Sequence, residues 1–137
     1  MQIFPKKYIV ENGDLLFSWS GTLLVKFWAE GKGALNQHLF KVTSEKYPEW
    51  FYYYWTKHYL DDFIQTAISK ATTMGHIQRK HLSQAKVCIP DKVLMSEIGK
   101  QIQPLIEHGK LNSQAAQNLI SLRENLLPRL ISGKIKV

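Results

Sequence analysis

The sequence predicts an α+β chain, with a small mixed or antiparallel β-sheet domain and packed helices followed by a long coiled-coil-type helix. Three observations carry this. Up to about Val42 the apolar runs are short and punctuated by glycine; from Pro48 to Ser69 apolar residues recur every four positions; from Lys92 to about Leu126 they alternate by steps of three and four. The 137 residues are 45% hydrophobic and 12% aromatic, which is enough for a packed core and excludes a disordered tail, a collagen-like fibre or a low-complexity linker.

The strands come first. Tyr8-Ile9-Val10 leads into Glu11-Asn12-Gly13-Asp14, where Asn-Gly supplies the positive φ values of a tight turn. Leu15 to Trp19 is a second run, closed by Ser20-Gly21. Leu23 to Trp28 is a third, closed by Glu30-Gly31-Lys32-Gly33, and Leu39 to Val42 a fourth. Pro48 suits a helix start, since its fixed φ and missing N–H cost nothing there. Phe51, Trp55, Tyr59, Phe63 and Ala67 then line one face of a core helix from Pro48 to about Ser69. Aromatics at helical spacing read as core, in preference to a base-stacking platform. The segment from Lys70 to His76 is polar and acid-free, and reads as a loop. A helical turn over Gln78–Gln84 and a short strand over Lys86–Ile89 are expected next, with Asp91 as the N-cap of the long helix.

The long helix carries an imperfect seam through Met95, Ile98, Ile102, Leu105, Gly109, Asn112, Ala116, Leu119, Arg123 and Leu126, interrupted by Gly109, Asn112 and Arg123. Pro104 should kink or split it, and Pro128 should end it. A rod of that length exceeds what a domain of 90 residues can cover. Its apolar stripe is therefore expected to pair with another helix, between chains or between repeats, in preference to folding back on its own domain. Residues 1–90 form the expected globular domain and residues 91–137 the helix and tail.

Eighteen Lys and Arg against eleven Asp and Glu leave a net charge of +7, which favours a polyanionic partner. From Ser69 to Pro90 the charged residues are Lys70, Arg79, Lys80 and Lys86, with no acid among them. The single cysteine, Cys88, excludes a disulfide framework and fits a reducing, cytoplasmic setting. Neither an export signal nor a membrane span is expected. The sequence contains no glycine-rich phosphate loop, no His-Glu-x-x-His and no Gly-x-Ser-x-Gly elbow. A methyltransferase cofactor motif and a nuclease metal-binding cluster are also missing. Asp61 and Asp62 are adjacent on a helix, about 100° apart, and read as a solvated face. No catalytic residue, cofactor or metal is expected.

Four blocks in order resemble a known family: Gly13-Asp14-Leu15-Leu16-Phe17-Ser18-Trp19-Ser20-Gly21-Thr22; Asn36-Gln37-His38-Leu39-Phe40-Lys41-Val42; Thr73-Met74-Gly75-His76-Ile77 with Pro90; and Leu126-Leu127-Pro128-Arg129-Leu130-Ile131-Ser132-Gly133-Lys134-Ile135. Together they look like the target recognition domain and spacer helix of the specificity subunit of type I restriction–modification enzymes. The resemblance implies a non-catalytic subunit that reads double-stranded DNA and binds the methyltransferase (modification) subunit, and through it the restriction subunit. The family's spacer helices pack on each other, so a homodimer, or pairing with another specificity fragment, is expected for a chain with one domain and one helix. Family members usually carry more sheet and loop before the first block, so the recognition domain is read as lacking its N-terminal part. The alternative is a protein-interaction module that acts through its helix without reading DNA.

Direct readout needs amide, hydroxyl and forked donors on loops that enter a groove, and phosphate positioning needs basic and hydroxyl side chains at the rim. The candidates for DNA contact are Ser18, Trp19, Ser20 and Thr22 on the first loop, and Asn36 and Gln37, with His38, on the second. Thr72, Thr73 and His76 follow on the third, with Arg79 and Lys80 beside it. Lys26, Lys32 and Lys70 are further candidates for phosphates. Ile98, Ile102, Leu105, Leu119 and Leu126 are the candidates for the subunit interface.

Overall fold

In the computed structural model, residues 8–69 and 77–134 are described. Among them the elements in order are β1 (Ile9–Val10), β2 (Leu15–Ser18), β3 (Leu24–Phe27), β4 (Gly33–Ala34), β5 (Leu39–Lys41), α1 (Glu49–His58), α2 (Leu60–Ser69), α3 (Arg79–Ser83) and α4 (Lys92–Ile131). The described residues thus form an α+β fold with two small antiparallel sheets and a very long helix.

The turn at residues 11–14 has the pattern of type II, with Gly13 at φ +90° and the Asp14 amide donating to the Glu11 carbonyl at 3.1 Å. Asn12 keeps a negative φ and spends its side chain elsewhere, accepting from the Gly31 amide at 2.7 Å. β1 therefore does not fold back on β2 but pairs antiparallel with β4, a two-residue strand within the glycine-rich stretch expected to be only a turn. β2 is the centre of a second sheet in the order β3-β2-β5, antiparallel to both neighbours. All four of its residues are buried, as a central strand covered on both faces requires.

The expected single helix from Pro48 to Ser69 is divided at Tyr59, where ψ of −1° interrupts the regular ladder between α1 and α2. The aromatic face survives the interruption. Phe51 and Trp55 join one core cluster with Trp50 and Ile106, while Tyr59, Phe63 and Ala67 join another with Phe17, Leu23 and Ile77. Ring contacts of 6.0–6.3 Å run along this spine from Phe51 through Trp55 and Tyr59 to Phe63. Phe51 and Phe63 are buried along it, and Trp55 and Tyr59 are partly buried against the core.

Two further expectations are corrected. Lys86–Ile89 is irregular rather than a strand; Val87 and Ile89 are exposed, and among the described residues no strand pairs with the segment. α4 is continuous through Pro104 and Pro128. Both prolines and the residues four before them, Lys100 and Glu124, are exposed, so water can satisfy the carbonyls left without an amide. Asp91 caps the helix as expected, its Oδ1 accepting from the Leu94 amide at 2.8 Å. At ~1.5 Å per residue α4 is a rod of roughly 60 Å.

Lys110 ties the rod to the globular part. Its ammonium donates to Glu49 Oε2 on α1, pairs with Glu107 at 3.2 Å, and lies 4.8 Å from the centre of the Phe27 ring on β3. Burial opposes the charge, but hydrogen bonds to the Glu49 and Glu107 carboxylates outweigh it and hold the ammonium above the ordinary lysine range.

Candidate nucleic-acid interface

Trp19 stands where β2 ends, and segments distant in sequence are tied to its backbone. Its amide donates to the His38 carbonyl at 3.2 Å, and its own carbonyl accepts from the Ile77 amide at 3.2 Å. The indole is stacked on Phe40, with centroids 5.9 Å apart, and is tilted against His38 at 5.6 Å. The first and second candidate loops, and the residue that follows the third, thus meet at one end of the three-stranded sheet.

Local chemistry shapes the first two loops. Ser18 is buried and its hydroxyl donates to the Ser20 carbonyl at 3.2 Å, so it holds the loop from inside rather than facing solvent. Gly21, at φ +70°, makes the turn that exposes Thr22. In the second loop Asn36 Oδ1 accepts from the His38 amide at 2.9 Å, and the Asn36 carbonyl accepts from Leu39 at 3.0 Å, a side-chain-stabilised turn. Asn36, Gln37 and His38 are all exposed, and Gln37 Nε2 lies 3.3 Å from His38 Nε2. Ser20, Gly21, Asn36, His38 and Leu39 enclose a shallow concavity of about 220 Å³.

Beyond Ile77, α3 opens at Arg79. Gln78 and His81 form its capping box, in which the Gln78 amide donates to His81 Nδ1 at 3.0 Å, and Lys80 is exposed. Thr72, Thr73, His76 and Lys70 lie outside the described residues, as does the side chain of Arg79. Lys26 and Lys32 sit on the far edge in exposed ion pairs with Glu30 at 3.3 Å and Glu11 at 3.9 Å, contacts that hold a lysine only weakly.

The seam residues of α4 fall into two groups. Ile98 and Ile102 pack with Met95 against Trp50 and Phe51 of their own domain. Leu105 and Leu119 are 67% and 65% exposed, and Leu126 is at the exposed margin. The periodicity of α4 does not distinguish these two groups; only their packing does.

Among the described residues no group of three or more His, Cys, Asp or Glu stands close enough to hold a metal ion, and no helix is long and apolar enough to cross a membrane. No curated protein and no solved structure matches the chain significantly. The family model for the type I restriction modification DNA specificity domain matches residues 1–120, from the strands through the loops meeting at Trp19 and most of the rod. With that match over most of its length, the chain belongs to the type I restriction–modification DNA specificity domain family.

Proposed function

We propose that this chain reads a DNA sequence through the loops around Trp19, and that α4 joins it to a second specificity chain and to the methyltransferase subunit, which brings the restriction subunit. The observation that supports this reading best is the meeting of the Ser18–Thr22 and Asn36–His38 loops, with Ile77, at one end of the sheet. Short polar loops held by a rigid strand end suit groove readout, and the surplus of basic residues suits phosphate contact. Ser20, Thr22, Asn36, Gln37, Arg79 and Lys80, together with Thr72, Thr73 and His76, are the side chains assigned to DNA. Ser18 and Trp19 are assigned to holding the loops. In this reading the chain supplies recognition and performs no chemistry itself.

Selection of bound duplexes from a randomised library tests the proposal. An enriched sequence should bind more tightly than the ~10⁻⁶ M limit of non-specific binding at physiological salt, and Gln37→Ala should relax its selectivity. Absence of enrichment would favour the second reading, an interaction module acting through the rod. The exposed Leu119, Leu122, Leu127 and Ile131 of α4 favour that reading independently.

A further inference from the structure

The concavity bounded by Ser20, Gly21, Asn36, His38 and Leu39 joins two loops that are separate in sequence, and we infer that it is a phosphate seat in which the His38 imidazole hydrogen-bonds one phosphodiester group of the DNA backbone. The inference rests on the DNA-reading function proposed above and deepens it by giving one residue a defined ligand group.

Size is the first argument. At about 220 Å³ the concavity lies below the roughly 300 Å³ at which small-molecule sites begin, so a whole nucleotide is too large and one phosphate group is the natural scale. The second is the chemistry of the lining. It offers a hydroxyl, an amide and an imidazole, and none of its five residues carries a carboxylate that would repel an anion. Because Asn36 Oδ1 already accepts from the His38 amide, the Asn36 side chain presents its Nδ2 as a donor. Gly21 has open space where a Cβ would be, so an approaching group meets no side chain there.

The third argument is preorganisation. The His38 backbone is held at both its amide and its carbonyl, and its ring rests against Trp19. Gln37 Nε2 stands 3.3 Å from His38 Nε2. With the Gln37 amide donating there, the neutral ring carries its proton on Nδ1 and has that N–H to give. A donor fixed in this way loses little freedom on meeting a phosphate, whereas the long exposed lysines of the far edge lose much.

The test uses the full chain and two probes. Inorganic phosphate is titrated while the His38 ring resonances are followed by NMR, and affinity is measured for two duplexes of equal length and unrelated sequence. His38→Phe keeps a ring on Trp19 and removes both nitrogens, with circular dichroism reporting the fold. Phosphate is expected to move the His38 resonances, and His38→Phe should weaken both duplexes alike by roughly two- to tenfold, the worth of one hydrogen bond. Resonances that stay in place, an unchanged affinity, or a loss confined to one sequence would each overturn the phosphate seat, the last by making His38 a base contact. If phosphate moves His38 while wild type binds neither duplex, the DNA-reading function fails and the assignment to a DNA phosphodiester falls with it, whereas still resonances beside intact duplex binding overturn the seat alone.

Discussion

The two halves of α4 share one periodicity and differ in what covers it. From Lys92 to Ile106 the helix packs on α1: Ile106 is 5% exposed, and Met95, Ile98 and Ile102 close around Trp50 and Phe51. Beyond Gln117, the last residue to border a concavity with β3 and α1, every residue of the helix is exposed. Among its residues Leu111, Leu119, Leu122, Leu127 and Ile131 are exposed, although they are no less apolar. Leu105 and Ile106 are neighbours in sequence at 67% and 5%, so the boundary runs around the helix as well as along it. Periodicity tells which residues share a face; only tertiary structure tells whether the partner for that face lies in the same chain. The inner half belongs to the fold, and the outer half leaves its apolar surface exposed, the surface that the proposed function gives to another helix.

The largest effects should separate the halves by stability. Ile106→Ala removes a buried side chain from the Trp50–Phe51 cluster and should destabilise the chain by about 2–5 kcal/mol in urea unfolding. Leu119→Ala, in dilute monomer, should stay within about 0.5 kcal/mol of wild type. The ranking reverses for association: by light scattering, Leu105→Asp and Leu119→Asp should abolish self-association and leave the unfolding midpoint of the monomer nearly unchanged. Equal destabilisation by Ile106→Ala and Leu119→Ala would erase the distinction between the halves.

Two glycines in the same helix give a finer test, because the same substitution should have opposite signs. A Cβ on Gly99 would lie 2.9 Å from Nε1 of Trp50, a rigid and buried ring, so Gly99→Ala should cost about 1–3 kcal/mol through overpacking, more than alanine's helix propensity returns. A Cβ on Gly109 meets nothing within 4 Å, and Gly109→Ala should stabilise by about 1 kcal/mol. Thermal unfolding of the two variants reads both signs directly.

What the sequence discloses follows the range of the interaction. The Asp91 cap, the turn at Gly13, the aromatic face from Phe51 to Ala67 and the α3 turn are decided within a few residues, and all were legible. The β1–β4 pairing joins residues more than twenty apart and was not; nor was the loss of the Lys86–Ile89 strand, which lacks a neighbour to pair with. Pro104 and Pro128 were expected to disrupt a helix that continues, because the outcome depends on whether the freed carbonyl meets water, which no local pattern encodes. The candidate site divides in the same way. Its loop residues were recognisable as polar and turn-forming, but Ser18 pointing inward, and the two loops sharing Trp19 and one concavity, depend on contacts between distant segments.

The smallest effect concerns the junction between the halves, where Lys110 joins α4 to Glu49 and the Phe27 ring. Its ammonium is held above the ordinary lysine range, so the folded state binds the proton more tightly than the unfolded chain does. A group whose folded value is raised contributes its full stabilisation below the unfolded value, about 10.4 for lysine, and loses it as pH rises through the folded one. Wild type should therefore lose stability on the alkaline side in a window that begins near that value. Lys110→Met keeps much of the aliphatic stem beside Gly13 and Phe27 but removes the charge, leaving Glu49 without this cation. It should lower the unfolding midpoint modestly at neutral pH and flatten the alkaline loss. An alkaline limb of the same slope in wild type and variant would mean that Lys110 is not what ties the rod to the recognition unit, and that apolar packing on α1 alone sets the angle between them.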